Sequence, residues 1–252
     1  PAFSYQDPNS PDLVAFKNKY KLDSVAGNKD EISKIKNLLL WAHNIVRHDG
    51  ISNNPPSRNG NDIIEVCQKE NRGVNCRMMA TILMDAYQSL GWKARVVTCM
   101  PKDTLDSVCH VINVVWSRTL HKWIWVDPTF NAYVTDKAGN LLSIQEVREN
   151  LYNVRLSDLV LNDGANWNNQ NKQTREYYLG HYMSKNLYWL QCSVKNEWNV
   201  ETDRTGKPAT EYINLYPGGY NTAKSSKRML RASIQYETNN PVIFWQKPAE
   251  KN

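Results

Sequence analysis

The chain has 252 residues, of which 41% are hydrophobic, 22% charged and 10% aromatic, with a formal net charge of +6. That length allows one large domain or two small ones around a substantial core, and the aromatic content with only 11 Gly and 11 Pro excludes a disordered or collagen-like chain. No apolar run reaches the roughly 18 residues of a membrane span, and five cysteines are too few for a disulfide-stapled fold while their odd number leaves at least one thiol unpaired within the chain.

The positive charge is scattered, with Lys224, Lys227, Arg228 and Arg231 the nearest approach to a cluster. Without a basic run interleaved with aromatics it reads as a solvated surface, and no nucleic-acid partner is expected. The first residue is Pro1 and not Met, so the expectation is a removed leader and an extracytoplasmic (periplasmic or secreted) location. Residues 1–28 read as a lead segment. Within it Pro11–Leu22 is predicted as a short helix, with Ser10 as N-cap and Pro11 at the first position. A stronger helix is predicted over Lys29–Arg47, capped by Asn28, with Ile32, Ile35, Leu39, Ala42 and Val46 as its buried stripe.

Turn formers fill 51–61, a short helix is expected over Asp62–Lys69, and a second strong helix over Asn75–Leu90, stopped by Gly91. The period then changes to that of strands at Lys93–Met100, Val108–Trp116 and Lys122–Val126, the last two paired as a hairpin closed by Asp127-Pro128-Thr129. A further turn falls at Lys137–Asn140, Ser143 and Glu146 form a capping box for a helix to Leu151, and 162–171 is an Asn-rich loop. Arg175–Tyr188 is predicted helical and aromatic-rich, and strands are expected around the Pro217-Gly218-Gly219 turn. Helices followed by an antiparallel layer predict an α+β fold. Its expected divisions are a catalytic core over 29–145 and a C-terminal extension over 146–252, packed together as one compact domain.

The residues that can carry chemistry are Cys76, His110 and Asp127. A cysteine at a helix start meets unpaired N–H groups and the positive end of the helix dipole, which favour the thiolate. Imidazole is the side chain suited to exchanging a proton with it near neutral pH. If the two strands pair, Asp127 at the end of one can orient His110 on the other. Singly, each residue reads more readily as core or surface; their order and spacing together are specific.

At this point the sequence resembles a family. Gly73-Val74-Asn75-Cys76, the following helix to Gly91 and Ala94-Arg95-Val96-Val97 are similar to the Cys block of the transglutaminase-like superfamily. Cys109-His110-Val111 and Trp125-Val126-Asp127-Pro128-Thr129 are similar to its His and Asp blocks. The resemblance covers about 29–135. It implies a papain-like fold with Cys76 as nucleophile, His110 as base and acid, and Asp127 as the orienting carboxylate. The residues beside Cys76 lack the Trp-Val-Phe run of animal transglutaminases, and the match is to a broader bacterial group.

For the oxyanion hole, the Cys76 N–H is one expected donor. The helix before it offers Trp41, His43, Asn44 and His48 for the second; Asn44 is preferred because an amide donates well. Trp41 and His48 are substrate-groove candidates. The expected function is cysteine-dependent acyl transfer on an amide or peptide, as hydrolysis by a peptidase or amidase. The alternatives are a protein-glutamine transglutaminase and a non-catalytic binding scaffold that retains the triad. A module that uses its Trp and Tyr surface on a glycan is a third class. The partner is a peptide, protein or peptidoglycan-like substrate; no cofactor and no metal are expected. Cys67, Cys99, Cys109 and Cys192 lack CxxC or metal spacing. Cys99 and Cys109 fall on adjacent strands, where geometry decides between a disulfide and core thiols.

Overall fold

A computed structural model describes residues 1–220, 227–230 and 233–249. The first predicted helix divides. α1 (Pro11–Lys19) opens on Pro11, but Ser10 makes no side-chain cap bond, and the left-handed Lys21 (φ 52°) turns the chain into a short α2 (Leu22–Ala26). α3 (Glu31–Ile45) starts two residues later than predicted. Its cap is Asp30, not Asn28, and the Asp30 carboxylate accepts the Ser33 N–H at 2.8 Å. Asn59 caps α4 (Gly60–Glu70). Asn75 caps α5 (Cys76–Ser89), accepting the Met78 N–H at 3.2 Å. Every residue of α5 from Met78 to Ser89 is buried. The helix runs through the middle of the molecule, between α1, α3 and α4 on one side and the sheet on the other.

Among the described residues the sheet has seven strands: β1 (Ala94–Met100), β2 (His110–Ser117), β3 (Lys122–Val126), β4 (Trp189–Ser193), β5 (Thr210–Leu215), β6 (Lys227–Leu230) and β7 (Ser233–Thr238). Their spatial order is β6-β7-β5-β4-β1-β2-β3. The expected hairpin is present, Val114 pairing with Trp125 and Trp116 with Trp123. The layer is antiparallel except at β5–β7, where the strands run parallel because β6 takes the edge position between them in sequence. The extension therefore continues the sheet of the core, through Val97 opposite Cys192.

Alternation along the strands divides the core in two. Ala94, Val115, Ile124 and Val126 face the helices. Val97, Cys99, Ile112, Val114 and Trp125 face the extension, which covers them with α6 (Ile144–Tyr152), Tyr178, Leu179, Met183 and Leu187. The Ser143–Glu146 capping box of α6 is formed. Arg95 of the Ala-Arg pair is fully buried on this side. Its guanidinium lies 3.7 Å from the Phe3 ring and 4.2 Å from the Trp123 ring, and donates to the Phe244 and Gln246 carbonyls. It ties the two ends of the chain together.

The predicted helix over Arg175–Tyr188 is instead one α-turn (Arg175–Tyr177) followed by a π-helix, Tyr178–Met183. Gly180 permits the close pass of this segment, since a Cβ there would lie 2.9 Å from Leu156 Cδ2. The Asn-rich loop contains a tight hairpin, Asn166–Trp167 against Asn171–Lys172. Its turn residues Asn168 and Asn169 both have positive φ (52° and 58°), a conformation that Asn tolerates better than most residues. Of the basic cluster, Lys224 and Arg231 lie outside the described residues, and Lys227 and Arg228 are described only as strand positions. Among the described residues no helix is long and apolar enough to cross a membrane.

Candidate active site

Cys76 is the first residue of α5. The segment that leads into it is docked tightly on the end of α3: Val74 and His48 form a parallel bridge, with Asp49 N–H donating to the Val74 carbonyl at 2.8 Å and Val74 N–H to the Arg47 carbonyl at 3.1 Å. This approach is why Gly73 precedes it. A Cβ on Gly73 would lie 2.8 Å from the Arg47 carbonyl oxygen and 2.9 Å from Asp49 Cβ. The docking sets the His48 ring beside the Cys76 thiol, whose pKa it lowers.

His110 opens β2, and its side chain also acts on the Cys76 thiol, lowering its pKa. Its Nε2–H donates to Asp127 Oδ2 at 2.7 Å, so the nitrogen facing the sulfur is Nδ1. Asn113 pairs with Val126, which puts Asp127 diagonally across from His110 and not directly opposite it. Asp127 is held on both oxygens: Oδ2 also accepts the Tyr178 hydroxyl at 2.5 Å, and Oδ1 accepts the Thr129 N–H at 3.0 Å. Trp125 Nε1–H donates in turn to the Tyr178 oxygen at 3.2 Å. The imidazole lies between the rings of Phe130 (5.5 Å) and Tyr182 (5.2 Å). His110 and Asp127 are buried, and Cys76 is half-buried.

The electrostatics distinguish this thiol from the other four. Burial raises the Cys76 pKa, but hydrogen bonds from His110 and His48, the charge of His110 and the Val111 N–H outweigh it and bring it down to about 6. Burial lowers the His110 pKa, but the Asp127 charge and hydrogen bond, with the contact to Cys76, carry it up to about 10. A thiolate–imidazolium pair is therefore the stable form between those limits. Cys67, Cys99, Cys109 and Cys192 are all pushed upward, chiefly by burial. All five thiols are free, so Cys99 and Cys109 are unbridged.

The upstream candidates separate. Trp41 packs against Phe16 and Tyr20 at ring distances of 6.2 and 5.8 Å, which makes it part of the helical core and not of a groove. Asn44 is exposed, and its Oδ1 accepts from Asn169 Nδ2 at 2.9 Å. Of the four upstream candidates for the second oxyanion donor, His48 is the one that acts on the Cys76 thiol. His43 is buried, with Nδ1 2.9 Å from the Pro128 carbonyl.

The residues that the sequence reading misses come from the extension. Tyr178, Tyr182 and Trp167 stand out in the sequence only as members of an aromatic-rich region, for which core packing is the simpler reading. Tyr178 is core and also bonds Asp127; Tyr182 covers His110; Trp167 Nε1–H donates to His48 Nδ1 at 3.0 Å. Among the described residues no group of three or more His, Cys, Asp or Glu side chains could hold a metal ion.

The family model described as "Transglutaminase-like superfamily" matches residues 18–128, a segment that holds Cys76, His110 and Asp127. Such a core supports cysteine-dependent chemistry in general. A crystal structure of a candidate cysteine protease from Cytophaga hutchinsonii aligns at 20% identity with a TM-score of 0.38. That alignment covers 50% of this chain and spans only 40% of the other. No curated protein matches the sequence. The likeness to the transglutaminase-like superfamily thus covers residues 18–128, the segment that runs from before α2 to just past the end of β3.

Proposed function

We propose that the protein is a cysteine-dependent acyl-transfer enzyme that hydrolyses an amide bond in a peptide, protein or peptidoglycan-like substrate. The observation that carries this reading is the 2.7 Å hydrogen bond between His110 and Asp127 beside the Cys76 thiol, with the thiol made acidic and the imidazole basic. In this reading the Cys76 thiolate adds to the carbonyl carbon, and His110 gives its Nδ1 proton to the leaving amine. A thioester remains on the sulfur. Water, deprotonated by the same nitrogen, then releases the acid and restores the thiol. Asp127 keeps the Nε2–H bonded throughout, so that Nδ1 stays aimed at the sulfur. Hydrolysis is preferred over transfer to an amine because water needs no second binding site. The transglutaminase reading uses the same three residues.

The test is a peptide-library cleavage screen on the wild type and Cys76→Ala, with and without an added primary amine. Cleavage that is lost in Cys76→Ala and unaffected by amine supports the hydrolase. Amine incorporation in place of cleavage supports the transglutaminase. No turnover with either, together with ordinary thiol reactivity of Cys76, would leave the scaffold reading.

A further inference from the structure

We infer that His48 is the side-chain donor of the oxyanion hole, acting with the Cys76 N–H, and that the Trp167–Asn168 turn of the extension holds it in the donor form. The inference rests on the reading of Cys76 as an acyl-transfer nucleophile. It starts from hydrogen-bond logic. An indole nitrogen can only donate, so the 3.0 Å contact from Trp167 Nε1–H makes His48 Nδ1 an acceptor. The proton of the ring then sits on Nε2, the nitrogen left to face the thiol.

The backbone of His48 is held as firmly as its ring. Asn168 Oδ1 accepts the His48 N–H at 2.7 Å, and Asn168 Nδ2 donates to the His48 carbonyl at 3.0 Å. The bridge to Val74 fixes the other side. Three groups from one hairpin turn thus converge on a residue that is 119 positions away from Trp167 in the chain. A side chain needed only for packing does not require its tautomer to be set.

The position also fits the reaction. When Sγ bonds to the carbonyl carbon, the carbonyl π pair moves onto an oxygen two bonds from the sulfur. A donor held beside the sulfur, as His48 is by the Val74 bridge and Trp167, can turn to that oxygen as charge leaves the sulfur. The Cys76 N–H, in the first turn of α5, has no acceptor within its own helix and is left free for the same oxygen. When the C–N bond breaks, its electron pair leaves with the amine, the amine takes the His110 proton, and the oxygen returns to a carbonyl. No electron or proton is left over.

Two reagents separate this role from a general effect on the thiol. p-Nitrophenyl acetate acylates a thiolate through a tetrahedral oxyanion; iodoacetamide alkylates it by displacement and forms none. Both rates are followed at Cys76 by mass spectrometry, across pH, in the full-length wild type, His48→Ala, His48→Gln and Trp167→Phe, with circular dichroism to confirm the fold. Each rate is compared on its high-pH plateau. We expect His48→Ala to slow acylation by about 10²–10³-fold, the loss seen for one oxyanion donor, with alkylation within about threefold. His48→Gln, which retains an N–H donor, should recover about tenfold of that loss, and Trp167→Phe should slow acylation by about tenfold without touching alkylation. Should His48→Ala fail to fold, the Gln and Phe variants carry the comparison alone. Equal losses in both reactions, or an unchanged acylation rate, overturn the inference. A wild-type Cys76 that reacts with neither reagent faster than the other four thiols overturns the acyl-transfer reading itself, and this inference falls with it.

Discussion

The core and the extension build the site in different ways. The core supplies Cys76, His110 and Asp127, each placed by the element that carries it: a helix start, a strand start and a strand end. The extension supplies no member of the proposed triad, yet Tyr178, Tyr182 and Trp167 reach Asp127, His110 and His48 in turn. The reacting groups are set by local structure and the groups that orient them by tertiary packing. If so, changes in the core should abolish the chemistry, and changes in the extension should retune it.

Cys76→Ala is the largest expected effect: loss of all catalysis with the fold intact, since the thiol is half-buried and the helix cap belongs to Asn75. Substrate turnover beside a thermal melt checks both parts. Asp127→Asn comes next, with a fall in kcat/KM of about 10²–10⁴-fold from a misoriented imidazole. Its pH signature has a definite sign. In the wild type kcat/KM is expected to rise through about 6, as Cys76 ionises, and to fall through about 10, as His110 loses its proton. Without the Asp127 charge the alkaline limb moves down.

Tyr178→Phe should move that limb the other way. The Tyr178 hydroxyl shares Asp127 Oδ2 with His110, and its removal leaves the carboxylate a stronger acceptor for the imidazole. A loss of activity of about tenfold is expected, together with about 1–2 kcal/mol of stability because the Trp125 N–H loses its acceptor. An alkaline limb that stays in place in Tyr178→Phe would mean that the extension only packs against the core.

The smallest effect concerns stability alone. Asp85, buried in α5, accepts the Gly60 N–H at 2.8 Å and leaves Oδ1 without a partner. Burial raises its pKa to about 8. The unfolded chain ionises this group near pH 4 and the folded chain only near 8, so the protein loses stability as the pH rises between those values. Asp85→Asn should flatten the slope in denaturant titrations across that range and leave catalysis unchanged.

What was legible in the sequence follows the same division. The α+β order, the helix that begins at Cys76, the β2–β3 hairpin and the Ser143–Glu146 box rest on neighbours a few residues apart, and they form. The proposed triad draws on a helix start and two paired strands, and these elements form where the sequence places them. The break at Lys21, the π-helix at Tyr178–Met183 and the parallel β5–β7 pair have no local signature. Asn44 was preferred over His48 as an oxyanion donor on amide chemistry alone. The decisive facts, the docking of Val74 on His48 and the Trp167 contact, join segments that nothing in the sequence links.

The central claim is that Cys76 is an ionised thiol at neutral pH, paired with a protonated His110. The pH dependence of iodoacetamide labelling, resolved thiol by thiol by peptide mass mapping, tests it most directly. The account expects Cys76 to be labelled first, with its rate half-maximal near pH 6, while Cys67, Cys99, Cys109 and Cys192 stay slow until well above neutrality. A Cys76 profile half-maximal near pH 8.5, the value of an ordinary thiol, or labelling in step with the other four, would contradict it.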